Sequence, residues 1–393
     1  MSVNRHRTSA PPKLLWGTKI PVVIRDGHTC PWGCGVRVYM TGSEWFSTLP
    51  GGLNRYFTDL HAALSVLPDI DVGAAAFGDP PPGARSWGPT GATTLHRVRT
   101  AFLDRRELRR NTVLDRHFCL YGPLATSRYR HLPLVVHFHG PWAAESRLAG
   151  ERDRSVRAKY LLERLRYARA DRFIVLSEHF RDLLIADYHV HADRISVVPP
   201  GVELPPETTT HTVTHHDSTR TVLCVRRLER RMGIDVLLRC WPSVVDEHPE
   251  ARLVIVGTGT AETLLREQAR GLDSVTFTGY VEDTRLADLY ARAELTVVPS
   301  LALEGFGLVA LASLAAGRAP IVTDCGGLPD SVRGLDDSLI VPAGDADALA
   351  ARITSALHGA RPTAPQCRTH AERFSWDTAA RRHVALYAEL AGS

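Results

Sequence analysis

Pro299-Ser300-Leu301-Ala302-Leu303-Glu304-Gly305-Phe306-Gly307-Leu308-Val309 is followed by an apolar run to Gly317 and then by Pro320-Ile321-Val322-Thr323-Asp324-Cys325-Gly326-Gly327-Leu328-Pro329. The pattern reads as strand, glycine-bracketed turn with one carboxylate, helix, and a second strand ending in a glycine pair. A helix that starts beside glycines offers free backbone N–H groups and the positive end of a dipole, which together suit a phosphate. Glu304 in the turn then faces whatever that phosphate carries. A glycine turn opens many βαβ units, so the glycines alone decide nothing. The order of the whole block carries the reading.

Working outward, strands are expected at 222–225, 252–256, 275–278, 295–298, 321–323 and 339–341. Helices at 233–245, 261–270 and 284–291 alternate with them. The first half shows the same alternation, with strands at 36–40, 134–138, 172–176 and 195–198 and helices at 57–66, 100–116, 151–169 and 178–187. Alternating strands and helices imply parallel sheets covered on both faces, an α/β class with two doubly wound, Rossmann-like domains facing a cleft. The expected divisions are an N-terminal extension over 1–35, a first domain over 36–204, a Thr/His-rich linker over 205–220, a second domain over 221–373, and a closing helix over 374–393 that crosses back. His211, His215 and His216 read as linker polarity.

A chain of 393 residues, 44% hydrophobic and 23% charged, exceeds what one core usually supports, so two domains fit its length. No apolar run reaches the roughly 20 residues of a membrane span, and the first twelve residues lack a signal-peptide core. A cytoplasmic protein is expected. Seven cysteines without paired spacing suit reduced thiols. His28, Cys30 and Cys34 lack a second ligand pair for zinc. The net charge of +4 conceals an asymmetry of +9 over residues 1–203 against −5 over 204–393. A basic half attracts anionic partners. The arginines at 105–110 and 152–172, however, sit among acids in helical patterns and read as solvated faces. No nucleic-acid module is visible.

Four further stretches look chemical. Arg226-Arg227-Leu228-Glu229-Arg230-Arg231-Met232-Gly233 joins a strand to a helix start. Val135-Val136-His137-Phe138-His139-Gly140-Pro141-Trp142 is a strand running into a loop, and Gly51-Gly52 precedes the first long helix. Gly257-Thr258-Gly259 and Phe277-Thr278-Gly279-Tyr280-Val281 are turns at strand ends. Taken with the 299–332 block, the chain resembles the family 4 retaining glycosyltransferases of the GT-B fold over about residues 36–390.

The resemblance implies that Glu304 and His139 hold the donor sugar, and that Arg227 and Arg231 hold the diphosphate. Arg227 matches the arginine of the family's Gly-Arg-Leu…Lys-Gly signature. Met232 stands in the lysine place, so Arg231 is expected to supply the missing charge, which a thioether cannot. Gly51, Gly52, Gly305, Phe306, Gly307, Leu308 and Val309 would approach the donor, with Gly257, Tyr280 and Val281 near the base. The second glutamate of the family's pair is replaced by Ala312. His137 reads as structural by its strand parity, yet with Trp142 and Glu145 it also belongs to a candidate acceptor-side stretch.

The expected activity is retaining transfer of a hexosyl group from a UDP- or GDP-sugar to a hydroxyl of a soluble secondary-metabolite or polysaccharide intermediate. No metal and no cofactor beyond that co-substrate are expected, because no Asp-x-Asp pair stands in the matching place. One alternative is a membrane-surface enzyme with a lipid acceptor, using an apolar groove over 101–116. The other is a catalytically impaired binding protein on the same fold.

Overall fold

The computed structural model describes residues 35–104, 106–123, 129–205 and 219–392. The expected extension up to residue 34, with His28, Cys30 and Cys34, lies outside these residues, as does the tract 206–218 with its three histidines.

The first sheet holds β1 (Val36–Glu44), β2 (Ile70–Phe77), β3 (Arg85–Ser86), β4 (Thr112–Arg116), β5 (Leu134–Phe138), β6 (Arg172–Val175) and β7 (Ile195–Val197) in the order β3-β2-β1-β4-β5-β6-β7. The second holds β8 (Arg220–Val225), β9 (Ala251–Val256), β10 (Val275–Gly279), β11 (Leu295–Val298), β12 (Pro320–Thr323) and β13 (Ile340–Val341) in the order β10-β9-β8-β11-β12-β13. Every paired strand is parallel. In each sheet the strand order reverses once, between β1 and β4 and between β8 and β11. Helices leave opposite faces there, and a crevice opens at the carboxyl ends of the strands.

β4 and β5 are buried along their whole length, so Val113-Leu114 and Leu134-Val135-Val136 are apolar without alternation, and the polar residues Asp115, Arg116 and His137 gather at the carboxyl ends. One continuous core joins Tyr56 and Leu60 of the helix Gly52–Ser65 to Ala380 and Tyr387 of the helix Trp376–Ala391, and reaches Val222 and Leu253 of the second sheet. The terminal helix therefore packs on the first lobe after the chain has built the second.

Two expectations fail locally. The expected helix over 100–116 is instead the end of a helix Thr94–Phe102, then a connection, then β4. Charges at 105–110 imitate an amphipathic period, but Thr112-Val113-Leu114 is needed to fill the sheet between β1 and β5. The apolar groove expected over 101–116 is lost with that helix. β2 was not expected, because Gly73 and three alanines give it little strand propensity although Ala74, Ala75 and Ala76 are fully buried.

Candidate active site

The chain places its chemistry at the two switch points. In the second lobe, β8 ends at Val225, and Arg226 follows with its side chain only 8% exposed. Arg226 Nη2 donates to Glu304 Oε2 and to Ser300 Oγ and stands 2.9 Å from Met232 Sδ. Ser300 Oγ donates to the same Glu304 oxygen at 3.0 Å. Burial alone would raise the Glu304 carboxyl, but Arg226, Ser300 and Arg231 reverse that and hold it below its ordinary value. Arg226 Nε is buried without a hydrogen-bond partner.

The position opposite the thioether is thus filled from the start of the signature, not from its end. Arg226 occupies the glycine place of the Gly-Arg-Leu pattern, and its guanidinium reaches the Met232 sulfur. Arg227 is exposed. Arg231 reaches the carbonyl oxygen of Leu303 at 3.2 Å and, across the lobes, Glu145 Oε1 at 3.0 Å. Leu303 itself has a left-handed φ of 54°, so the residue before the carboxylate is held in a strained conformation.

Two helix starts meet nearby. The helix Leu308–Ala315 begins after Gly307, whose φ of 89° favours glycine, and no side chain caps it. The helix Gly52–Ser65 also lacks a side-chain cap. A β-carbon on Gly52 would stand 4.0 Å from Leu308 Cδ1, and one on Gly51 would meet nothing within 4 Å. Free N–H groups of both lobes thus open close to each other. Gly257 admits the Arg226 backbone, since a β-carbon there would fall 2.0 Å from the Arg226 carbonyl oxygen. Phe306 is buried, Gly305 and Val309 are half-buried, Tyr280 is 54% exposed, and Val281 packs beside Tyr290. Ala312 packs in that same small apolar cluster.

The first lobe brings imidazoles. His137 ends in β5 and His139 follows it, while Asp115 and His117 occupy the matching end of β4. His117 Nε2 lies 3.1 Å from Asp115 Oδ2, and His117 Nδ1 lies 3.3 Å from His139 Nε2. Tyr387 of the terminal helix donates to Asp115 Oδ2 at 2.6 Å. Burial acts to raise the Asp115 carboxyl, and His137 and His117 beside it pull it well below its ordinary value. A carboxylate at Asp115 requires the proton of His117 on Nε2. His117 Nδ1 then accepts from His139 Nε2–H, which leaves Nδ1 of His139 as a free acceptor. Burial keeps His139 neutral by lowering its pKa well below the ordinary value.

His137 is fully buried, stands 3.1 Å from Asp115 Oδ1, and has no hydrogen bond at either ring nitrogen. Burial lowers it to about 4, and His383 likewise to about 4. His117, His137 and His139 bring ligand atoms within 4.8 Å of one another, the closest approach to a metal set among the described residues. Their rings are nearly parallel, 18–24° apart, so in-plane lone pairs stack instead of converging.

Of the candidate acceptor residues, Glu145 holds Arg231, whereas Trp142 is fixed within the first lobe. Its backbone N–H donates to Glu163 at 2.9 Å, and Lys159 sits over its ring. Sequence reading missed Arg226, Asp115 and His117. The signal for the last two was present, since Asp-x-His and His-x-His close two strands that become neighbours. Arg226 stands in the glycine place of the signature, so the motif gives no sign of its contact with Glu304.

Two facing Rossmann-like lobes with a polar crevice between them make this a protein of the GT-B fold. Residues 50–204 match "Glycosyltransferase Family 4" and residues 219–359 match "Glycosyl transferases group 1". The chain belongs to glycosyltransferase family 4. It is 32% identical to a D-inositol 3-phosphate glycosyltransferase of Thermobispora bispora over 71% of each chain. It is 27% identical to the enzyme of that name from Segniliparus rotundus over 93% of this chain and 88% of the relative. In fold it is similar to sucrose-phosphate synthase from Thermosynechococcus elongatus, with TM-score 0.74, 23% identity, and 91% and 100% of the two chains covered. The Anabaena protein HepE, determined with UDP-glucose, gives TM-score 0.66 at 17% identity, covering 89% and 98%.

Proposed function

We propose that the protein is a retaining, cytoplasmic hexosyltransferase that moves a sugar from a UDP- or GDP-sugar to a hydroxyl of a polar acceptor. The observation that carries this is the Arg226–Ser300–Glu304 cluster beside the two uncapped helix starts at Gly52 and Leu308. Breaking the anomeric bond puts negative charge on the leaving diphosphate. Guanidinium groups and helix N–H dipoles fixed in advance stabilise that charge without reorganising.

In this reading Arg226 takes the role expected of Arg227, Arg231 assists, and Glu304 holds sugar hydroxyls. His139 accepts a hydrogen bond from the sugar through Nδ1, oriented by Asp115 and His117. Arginine supplies the charge that a divalent cation supplies in other transferases, so turnover persists in chelator. The leaving phosphate takes the acceptor proton on the same face, which retains the anomeric configuration. UDP-glucose bound to the Anabaena neighbour favours a uridine donor, and the inositol-phosphate relatives favour a soluble polyol or sugar acceptor.

The test is a nucleotide-sugar panel read by mass spectrometry with polyol and sugar acceptors. Transfer from one donor with unchanged anomeric configuration supports the proposal. Binding without release of nucleoside diphosphate supports the impaired-scaffold reading instead.

A further inference from the structure

The helix Asp153–Tyr167 carries charges inward and two leucines outward. Its buried face carries Val156 and Tyr167 but also Glu163 and Arg166. Glu163 accepts from the backbone N–H groups of Trp142 and Ala143 and from Tyr188 Oη, at 2.9, 3.3 and 2.9 Å. Arg166 donates to the carbonyl oxygens of Cys119, Tyr121 and Gly122 at 2.7, 3.0 and 3.1 Å. The inward charges are satisfied. Leu162 packs against the core, but the other two leucines point away, Leu161 57% exposed and Leu165 73% exposed.

Ala158, Leu161, Leu165 and Ala168 follow the three-and-four spacing of one strip. Arg157 and Arg164 flank it on one side, Arg169 on the other, and Arg154 lies a turn earlier, all exposed. Among the described residues none of these four arginines has an ion-pair partner, and the nearby acid Glu151 is taken by Lys159 at 2.6 Å. Asp153 is the one exposed acid of the helix.

We propose that this face docks the protein on the surface of an anionic phospholipid bilayer. Arg169 donates to the carbonyl oxygen of Arg130 at 3.3 Å and Arg164 lies over the Tyr160 ring, but no carboxylate among the described residues neutralises either. An apolar strip flanked by guanidinium groups without carboxylate partners fits the headgroup boundary, where leucines enter the acyl edge and arginines reach back to phosphates. The occupant is fixed by complementarity. A second copy of the chain meeting this face would set arginine against arginine, and a strip one helix wide is too small for a stable protein interface. The membrane-facing surface moves from the expected stretch 101–116 to this helix, within the arginine series first read as a solvated face. Glu163 ties the helix to the loop after His139, so docking holds that loop about one helix diameter, roughly 10 Å, from the lipid.

The test is co-sedimentation of the full chain with phosphatidylcholine vesicles, with and without about one-third phosphatidylglycerol, at about 50 and 150 mM salt. Expected are binding to the anionic vesicles alone and weakening by salt. Arg157→Gln with Arg164→Gln should lower the partition coefficient about twenty-five-fold, at roughly five-fold per arginine. Leu161→Ser with Leu165→Ser should also abolish most binding while leaving the melting temperature unchanged. Equal binding by wild type and both variants, equal binding to neutral vesicles, no binding at low salt, or a dimer lost in the leucine variant would each overturn the proposal. Docking is read without turnover, so this result and the transferase test stand or fall separately.

Discussion

Arg226 and Glu304 are where one substitution says most. Replacing Arg226 with methionine should lower kcat/KM by about 10²–10³, the usual cost of losing a preorganised charge donor. Arg227→Ala, on an exposed side chain, should cost much less, and steady-state release of nucleoside diphosphate compares the two. Asp115→Asn should remove the carboxylate that fixes the tautomer of His117, and through it the acceptor nitrogen of His139. We expect a fall in kcat of about 10²-fold or more, with donor affinity by calorimetry changed far less. Glu304, Arg231 and His139 were legible as residues because short motifs carry their own spacing. Their partners were not, since Asp115 meets Tyr387 across 272 positions of chain. Only the fold makes that contact visible.

At the scale of elements, the strand–helix alternation was readable wherever β-branched runs filled a buried strand. β5 and β11 fall at their expected limits. It failed at β2, whose alanines are buried without strand-like side chains, and at 100–116, where surface arginines mimic a helix. The two uncapped helix starts give separable predictions. Gly51→Ala adds a methyl with nothing within 4 Å, so it should leave the melting temperature alone and raise the donor KM if phosphate packs there. Gly307→Ala forces a left-handed φ and a β-carbon 2.3 Å from Leu328 Cδ1, so it should cost about 1–3 kcal/mol of stability by denaturant titration.

At the scale of the whole molecule, two ion pairs among the described residues join the lobes: Arg231 to Glu145 at 3.0 Å and Arg55 to Asp283 at 2.5 Å. Both are partly exposed, so each contributes at most about 1 kcal/mol and salt screens it. Glu145→Ala with Asp283→Ala should widen the lobe separation in X-ray scattering, as added salt should in the wild type. Acid acts elsewhere. His137 and His383 sit at about 4 in the fold against about 6.5 in a free chain, so the unfolded form binds more protons between these values. Their contribution is complete above pH 6.5 and is lost as the pH falls toward 4, on the order of 1–3 kcal/mol each. Melting temperatures from pH 7.5 to 4.5 should show that decline, and a flat profile would contradict the burial of these rings. The two-lobed plan was legible from length and alternation, but the return of the last helix onto the histidine cluster was legible only as a resemblance. That return has a consequence in biosynthesis. Tyr387 and His383 are synthesised after both lobes, yet they complete a wall begun by Tyr56 and Asp115. A nascent chain stalled before residue 376 would carry both lobes and still leave Asp115 and Tyr56 without these partners, so synthesis of the helix Trp376–Ala391 gates the finished histidine cluster.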